Sequence, residues 1–298
     1  MTHRYPTPEG FKQALETRIR RAATERAIDM GRFRQLLVFD RFLARVFKEL
    51  PERVVIKGGV VLELRLQRAR TTRDVDLRMT GDPKDLLESL QRAGRLDLDD
   101  YLAFEIAPDA SHPNIEGEGI VYEGQRFRAE ARLAGKHYGM PFGVDAAFGD
   151  ILTFEPDVAK GSDFFEFIGI QPSQFRIYPR ETHIAEKVHA YTLPRTRENT
   201  RVKDLPDIAL LAQAGSLSAV RLREAIQQTF KFRGSHPVPP LLPPAPDSWA
   251  PVYARMAKDD GLPWSTIAEV EDLARRFVEP VLGSEMGNWN PEPGVWGQ

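Results

Sequence analysis

The chain has 298 residues, 42% hydrophobic and 28% charged with a formal net charge of −2, which is typical of a soluble globular protein with one large domain or two modest ones. The absence of cysteine excludes disulfides and thiolate metal sites. No apolar run approaches the roughly 20 residues of a membrane span, and the polar N-terminus contains no signal-peptide core, so we expect a cytoplasmic protein without membrane contact.

Two amphipathic helices are predicted within an N-terminal segment, residues 1–50. Their apolar stripes are Phe11, Leu15, Ile19 and Ala22 in the first helix, and Phe33, Leu36, Leu43, Phe47 and Leu50 in the second. The segment contains eleven Lys or Arg against six Asp or Glu. This excess of positive charge is compatible with an RNA-facing patch and equally with solvated arginines on packing helices.

Residues 51–180 are predicted to form a core with a mixed sheet and helices, in an α/β or α+β fold. Strand patterns lie at 54–57, 73–79, 102–107, 118–123, 126–135, 137–148 and 175–178, and helix patterns at 59–67 and 83–94.

The most informative motif of this core is Lys57-Gly58-Gly59, followed by Thr71-Thr72-Arg73-Asp74-Val75-Asp76. A β-branched run precedes the glycines, which predicts the order strand, turn, helix. Glycines let the backbone approach a phosphate closely, and the N–H groups that open a helix attract anions. Asp74 and Asp76 are two residues apart on a predicted strand and therefore face the same side.

These two carboxylates predict a divalent metal site for nucleotidyl transfer. At a separation of about 5 Å they repel by roughly 3 kcal/mol at an effective dielectric constant of about 20, unless a cation or a proton offsets the charge. Mg²⁺ is commonly bound by one or two carboxylates together with substrate phosphates. The alternative is a surface strand whose carboxylates pair with Arg73 or Arg78.

Asp145 is a candidate third acid. The segment Phe142–Phe148 alternates, which places four apolar side chains on a packed face and Asp145 on the opposite face. Polymerase-like sites commonly use three carboxylates, the third of which tunes the attacking hydroxyl. A plain solvent-facing aspartate is the alternative.

Residues 181–298 are predicted to form a C-terminal helical region, with helices at 181–193, 204–214, 217–230, 249–258 and 265–279. Thr266 and Glu269 form a capping box at the last helix. Six prolines in residues 237–246 predict an extended, semi-rigid connector rather than an SH3-type ligand. We expect the tail from Gly283 to lie along the surface without forming an element.

Lys187 lies at the edge of the apolar stripe of helix 181–193, so it is expected to point inward and to need an anion. Asp204 is the predicted N-cap of the next helix, and Asp207 is placed to face Lys187. Two interpretations remain open: a Lys–Asp pair that clamps two helices, or a lysine that holds a triphosphate oriented by Asp207. His183 and His189 lack metal-ligand spacing and are expected to be solvated or packed.

Four motifs taken together resemble the AbiEii/AbiGii nucleotidyltransferase toxins, including their MenT-like branch, from about residue 33 to 279. They are Lys57-Gly58-Gly59, Thr72–Asp76, Glu186–Ala190 and Arg201–Asp207. The resemblance implies a DNA polymerase β-like nucleotidyltransferase fold and a toxin of a bacterial toxin–antitoxin system. It further implies Mg²⁺ and an NTP, often a pyrimidine nucleotide such as CTP, with tRNA 3′ ends or other RNA as acceptor and a cognate antitoxin as partner.

Residue by residue, the resemblance implies a role for each position of the site. Asp74 and Asp76 would bind metal, Lys187 would bind the triphosphate, and Asp207 would complete the site. Gly58 and Gly59 would cradle phosphate. To these we add Asp145 as the candidate third metal carboxylate, and Lys57, Thr72 and Arg73 as further candidates for nucleotide binding. Gly59 occupies a position where many members have serine, so this chain has no side-chain hydroxyl at that position.

Thr72 occupies a place where some MenT-like toxins have a serine that the antitoxin phosphorylates. A phosphate would add about two negative charges beside Asp74 and Asp76 and repel metal and nucleotide. Two other functions stay open: the same chemistry on a small-molecule or protein hydroxyl, and a catalytically silent module that binds a partner.

Overall fold

The computed structural model describes residues 4–66, 71–115, 123–196 and 198–297. The chain begins with α1 (Pro8–Glu25) and α2 (Met30–Glu49). The Thr7 hydroxyl accepts a hydrogen bond from the Gly10 N–H at 3.1 Å, and the Asp29 carboxylate accepts one from the Arg32 N–H at 2.8 Å, so both helices have side-chain N-caps. The two predicted apolar stripes pack on the central sheet, with Leu36 and Phe47 only partly buried.

Some of the basic residues of the first 50 positions are buried or paired. Arg41 and Arg45 are buried and donate to Asp100, with nitrogen–oxygen distances of 2.7 and 2.5 Å. Arg34 forms an ion pair with Glu16 at 2.6 Å. Part of this positive charge therefore holds α1, α2 and the sheet together.

The elements that follow alternate strands with helices and then form a meander. They are β1 (Val54–Lys57), α3 (Gly58–Arg65), β2 (Asp74–Met79), α4 (Leu86–Gly94), β3 (Leu102–Pro108), β4 (Glu123–Leu133), β5 (Lys136–His137), β6 (Phe142–Phe148), β7 (Asp157–Lys160) and β8 (Gln174–Ile177), with short 3-10 turns at Pro83–Asp85 and Glu166–Ile168.

Within the described ranges, these strands form one eight-stranded sheet in the order β3-β4-β6-β2-β1-β8-β7, with β5 paired to β4. The pairs β1–β8 and β2–β6 are parallel, and the others are antiparallel. The predicted mixed sheet with helices is confirmed.

Some predicted strand boundaries are wrong. The strand predicted at 137–148 is two strands, because the chain turns after β5 and Pro141 has no N–H to donate to a ladder. β4 begins at Glu123, and the short polar strand β7 was not predicted. Of the strand predicted at 118–123, residues 118–122 lie outside the described residues.

The two faces of the sheet differ in polarity. Val75, Leu77 and Met79 of β2 are buried among the residues that α1, α2 and α4 cover, together with Val144 of β6. Because successive side chains of a strand alternate, the remaining residues of β2 lie on the opposite face. The sheet therefore presents a polar face away from the N-terminal helices.

The C-terminal region contains the predicted helices and surrounds a second hydrophobic cluster. Its elements are α5 (Arg180–Thr192), α6 (Asp204–Gln213), β9 (Leu217–Ser218), α7 (Ala219–Arg233), α8 (Trp249–Asp260), α9 (Ile267–Leu282), β10 (Asn288–Asn290) and β11 (Val295–Gly297). The capping box of Thr266 and Glu269 is present at α9. Among the described residues, we find no helix with the length and apolarity that crossing a membrane requires.

The prediction for the C-terminal tail is wrong. β10 and β11 pair with each other, and β10 pairs with β9 in a small sheet. Trp289 is only 1% exposed, and its indole N–H donates to the Ala212 carbonyl at 2.9 Å. Trp296 stacks on Phe277 with ring centroids 5.5 Å apart. The tail is ordered because two indole rings enter the second hydrophobic cluster.

The proline-rich connector at 237–246 has no helix or strand, as predicted. It is nevertheless attached to the helices. Leu242 is buried, and the Tyr191 hydroxyl donates to the Pro243 carbonyl at 2.8 Å.

Candidate active site

A row of four charged side chains crosses the polar face of the sheet. Lys57 of β1 is paired with Asp76 of β2, Asp76 with Asp145 of β6, and Asp145 with Arg126 of β4. Directly paired residues on neighbouring strands lie on the same face. The row therefore has the charge order positive, negative, negative, positive, with two carboxylates side by side at its centre.

Asp74 lies beside this row, one pleat along β2. Its register partner on β6 is Gly143, and a Cβ atom there would lie 2.6 Å from Asp74 Oδ1. Burial, the charge of Asp145 and, more weakly, the charge of Asp74 raise the pKa of Asp76, although Lys57 and Lys187 oppose the shift. A divalent cation such as Mg²⁺, which prefers hard oxygen ligands, would offset the negative charge that raises the pKa of Asp76.

The glycine turn lies against the same carboxylates. Gly58 begins α3 with φ of 67°, and a Cβ atom there would overlap Asp76 Oδ2 and lie 2.6 Å from Asp76 Cγ. A Cβ atom at Gly59 would lie 2.6 Å from Thr72 Oγ1. Both glycines are thus required for the close approach of α3 to β2, and the N–H groups that open α3 lie near the carboxylates.

Asp145 is not a plain solvent-facing aspartate. Its side chain is 21% exposed, and both carboxylate oxygens accept from Arg126, from Nε at 2.7 Å and from an η nitrogen at 2.8 Å. Over the ranges that the structure describes, no group of three or more histidine, aspartate or glutamate side chains is arranged to hold a metal ion. The metal role of Asp74, Asp76 and Asp145 stays a prediction.

Lys57 is held by two carboxylates behind the row. Its ammonium pairs with Asp150 and with Glu186, the latter at 2.8 Å, and Arg233 donates to the same two carboxylates at 2.8 and 3.1 Å. We call these four residues the charged cluster. It joins β1 and the segment after β6 to α5 and α7.

The two acids of the charged cluster differ in pKa. Burial would raise the pKa of Asp150, but Lys57 and Arg233 hold it at about 2. Burial, reinforced by Asp150 and opposed by Lys57, raises the pKa of Glu186 to about 7. Only Lys57 was singled out from the sequence as a site residue; the other members are brought together by the fold.

Lys187 points inward, as predicted. Its ammonium pairs with Asp207 at 2.8 Å and with Asp204 at 3.2 Å, and both carboxylates are buried. The N-cap prediction for Asp204 is wrong, because Asp204 is the first residue of α6 and Lys203 is the N-cap. The Asp204 carboxylate binds Lys187 and, at 2.8 Å, Arg201 instead of capping the helix. A helix clamp is therefore present, and the positive charge of Lys187 still reaches Asp76.

His183 and His189 are packed histidines. His183 is fully buried, and burial together with Lys187 lowers its pKa well below the usual value. His189 Nε2 lies 2.8 Å from the Ser235 hydroxyl, and burial lowers its pKa to about 4. Both rings are therefore neutral near neutral pH.

A cavity of about 590 Å³ opens beside Thr72 and Arg73. Its walls include Arg32 and Leu36 of α2 and Pro141 before β6. The Thr72 hydroxyl donates to the Asp74 carbonyl at 3.2 Å, and Arg73 is exposed at the cavity. The cavity thus adjoins the end of β2 that carries Asp74.

The glycine turn, the paired carboxylates and the lysine on α5 are the parts expected of a nucleotidyltransferase. Residues 41–272 match the family described as "Nucleotidyl transferase AbiEii toxin, Type IV TA system". The chain belongs to this family. It is accordingly a nucleotidyltransferase toxin of a type IV toxin–antitoxin system, for which an antitoxin is the expected partner.

One solved structure has a similar fold along most of its length. The AbiEii chain is similar to the nucleotidyltransferase toxin MenT4 from Mycobacterium tuberculosis H37Rv, with a TM-score of 0.59, 15% identity, and coverage of 90% of this chain and 89% of that one. It also matches JHP933 from Helicobacter pylori, with a TM-score of 0.42, 16% identity, and coverage of 67% and 80%. A search of curated proteins finds no match. The likeness to MenT4 confirms the predicted nucleotidyltransferase fold.

Proposed function

We propose that this toxin transfers a nucleoside monophosphate from an NTP, CTP or another pyrimidine nucleotide, to RNA, at the tRNA 3′ end, and so blocks translation in the cytoplasm. The observation that supports this best is the row Lys57, Asp76, Asp145 and Arg126, with the glycine turn at one end. Paired carboxylates beside a phosphate-binding turn suit the transfer of a phosphoryl group.

In the proposed reaction, an acceptor hydroxyl oxygen bonds to the α-phosphorus of the NTP as the bond to pyrophosphate breaks. Asp74 and Asp76 offer hard oxygens for Mg²⁺, which when bound stabilises charge on the transferring group. Asp145 lies next to Asp76, and in this proposal it accepts the proton of the acceptor hydroxyl. The N–H groups that open α3 suit the binding of NTP phosphates.

The C-terminal helices contribute the remaining positive charge. Lys187 pairs with Asp207 and Asp204, and its positive charge also reaches Asp76, so in this proposal it offsets negative charge on the triphosphate. In this proposal Asp207 orients the lysine, so clamp and triphosphate ligand are compatible roles. The sequence alone had left both roles of Lys187 open.

The test is incubation of the purified toxin with Mg²⁺, total tRNA and each labelled NTP separately. We expect label in tRNA from the wild type, and a loss of at least about 100-fold in Asp76→Asn because a misplaced or missing charge at the reacting centre costs this much. Glu105→Gln is the matched control, since Glu105 is an exposed carboxylate of the same sheet, paired with Arg132 at 3.1 Å.

Absence of label from tRNA in every reaction would reject the RNA acceptor, and label in another acceptor would identify the substrate. Equal transfer by Asp76→Asn and the wild type would reject the proposed metal site.

Regulation by the antitoxin is proposed at Thr72. Its hydroxyl lies against Gly59 and beside the backbone of Asp74, so a phosphate there would occupy the space next to the carboxylates. A mass spectrum of Thr72 after co-expression with the antitoxin is the check, and an unmodified residue would count against this mode.

A further inference from the structure

Arg126, which binds the carboxylate of Asp145, can bind a phosphate group in the same way. We propose that Arg126 and Arg128 of β4 bind backbone phosphates of the acceptor RNA, and that Arg126 releases Asp145 when it binds a phosphate. This inference rests on the proposed RNA acceptor. It makes Asp145 available to the reaction only in the presence of RNA.

Arg126 and Asp145 are joined by two hydrogen bonds. Both carboxylate oxygens are used, at 2.7 and 2.8 Å, and the two residues are register partners. A carboxylate that accepts two parallel guanidinium hydrogen bonds has reduced capacity for a metal ion or a proton. Release of Arg126 is therefore a condition for Asp145 to act as proton acceptor.

Arg126 is also accessible to a ligand. Its side chain is 36% exposed, so the guanidinium lies at the edge of the site rather than in the core. A phosphate offers the same planar pair of acceptors as a carboxylate, and arginine binds both through two hydrogen bonds. Exchange of Asp145 for a phosphate therefore conserves the hydrogen bonds of Arg126.

Arg128 lies next to Arg126 on the side of Asp74, and we call these two arginines the basic edge. It is two residues from Arg126 on the same strand, so both side chains lie on the polar face. Its register partner is Gly143, the residue that approaches Asp74, so no side chain intervenes on β6. Arg128 is 59% exposed and pairs with Glu130 at 3.2 Å. The two arginines thus border the acids on the side opposite to Lys57.

The position of this edge matches the geometry that an acceptor strand requires. The glycine turn and Lys57 lie at one end of the row, where the NTP phosphates are proposed to bind, and Arg126, next to Asp145, lies at the other end. An acceptor hydroxyl beside Asp145 brings the phosphates of its own strand over β4. The acceptor strand and the NTP would therefore approach the two carboxylates from opposite ends of the row.

The experiment measures binding rather than catalysis, using a fluorescent single-stranded RNA in anisotropy titrations at several salt concentrations without metal or NTP. We expect Arg126→Gln to weaken binding about 10-fold and to reduce the slope of log affinity against log salt by about 0.7, the value for one phosphate contact on a single strand. Arg128→Gln is expected to act in the same direction.

Asp145→Asn provides a test of opposite sign. Loss of this carboxylate charge frees Arg126 for phosphate, so the variant is expected to bind RNA several-fold more tightly than the wild type. A purely structural role of the pair would weaken binding in both variants. Arg132→Gln is the matched control, because Arg132 lies on the same strand and face and pairs with Glu105 through two contacts of 3.1 Å, away from the acids.

Unchanged RNA affinity in Arg126→Gln, or weaker RNA binding in Asp145→Asn, would overturn the inference. Equal loss of RNA binding and of calorimetric Mg·NTP binding in Arg126→Gln would also overturn it, by assigning Arg126 a structural role. If the predicted changes in RNA binding occur but no label reaches RNA in the transfer assay, the basic edge stands and the proposed acceptor reaction fails.

Discussion

Gly58→Ala tests whether the glycine turn positions the carboxylates that we propose to bind the metal. The new Cβ atom would overlap Oδ2 of Asp76, so this side chain must rotate or β1 must shift from β2. The left-handed φ of 67° adds about 1 to 2 kcal/mol of strain for a residue with a Cβ atom, and overpacking adds about 1 to 3 kcal/mol. We expect the free energy of unfolding to fall by about 2 to 5 kcal/mol.

Gly135→Ala separates backbone strain from displacement of the carboxylate. Gly135 has nearly the same φ, 70°, but a Cβ atom there meets nothing within 4 Å. This control is expected to lose only the strain of about 1 to 2 kcal/mol and to keep full transfer activity.

Urea unfolding and label transfer, measured on both variants, give the comparison. A displacement of Asp76 by about 1 Å is expected to reduce the transfer rate of Gly58→Ala about 100-fold. A transfer rate of folded Gly58→Ala equal to that of Gly135→Ala would refute the role of the turn in holding Asp76.

Two further substitutions address the C-terminal helices. The pKa of Glu186 in the folded protein, about 7, exceeds its ordinary value of 4.5, so Glu186 stabilises the fold at acidic pH and loses this contribution as the pH rises through 7. In urea unfolding, the free energy of unfolding of Glu186→Gln should therefore rise relative to the wild type by on the order of 3 kcal/mol between pH 4.5 and 7. A difference that stays constant with pH would contradict this. Lys187→Met leaves Asp207 buried without its cation and should cost about 3 to 5 kcal/mol. Adding Asp207→Asn should restore stability but not NTP binding; if calorimetry finds that NTP binding returns as well, Lys187 is only a clamp.

The local part of the site could be predicted from the sequence. Asp74 and Asp76 are two residues apart on one strand, so strand alternation alone places both carboxylates on one face, and the glycines that follow a β-branched run predict the turn at Gly58. The helices were predicted for the same reason, since their stripes repeat every three or four residues.

The partners of these residues could not be predicted, because strand register brings them together. Arg126 is 19 residues from Asp145 along the chain, and Arg233 is 83 residues from Asp150. No local pattern of Arg126 distinguishes it from Arg132 on the same strand. The burial of Trp289 was missed because a tail rich in glycine, proline and asparagine has no periodicity.

Consecutive residues of α5 connect the two halves of the site. Glu186 binds Lys57 at the end of β1, and Lys187 binds Asp207 on α6. Neighbouring residues on a helix point about 100° apart, so one helix contacts the sheet and the C-terminal helices at the same level. A shift of α5 along its axis would therefore move Lys187, whose charge acts on Asp76, and would at the same time break the contacts of Glu186 in the charged cluster. For this reason we expect that destabilising the charged cluster impairs NTP binding before it unfolds the sheet.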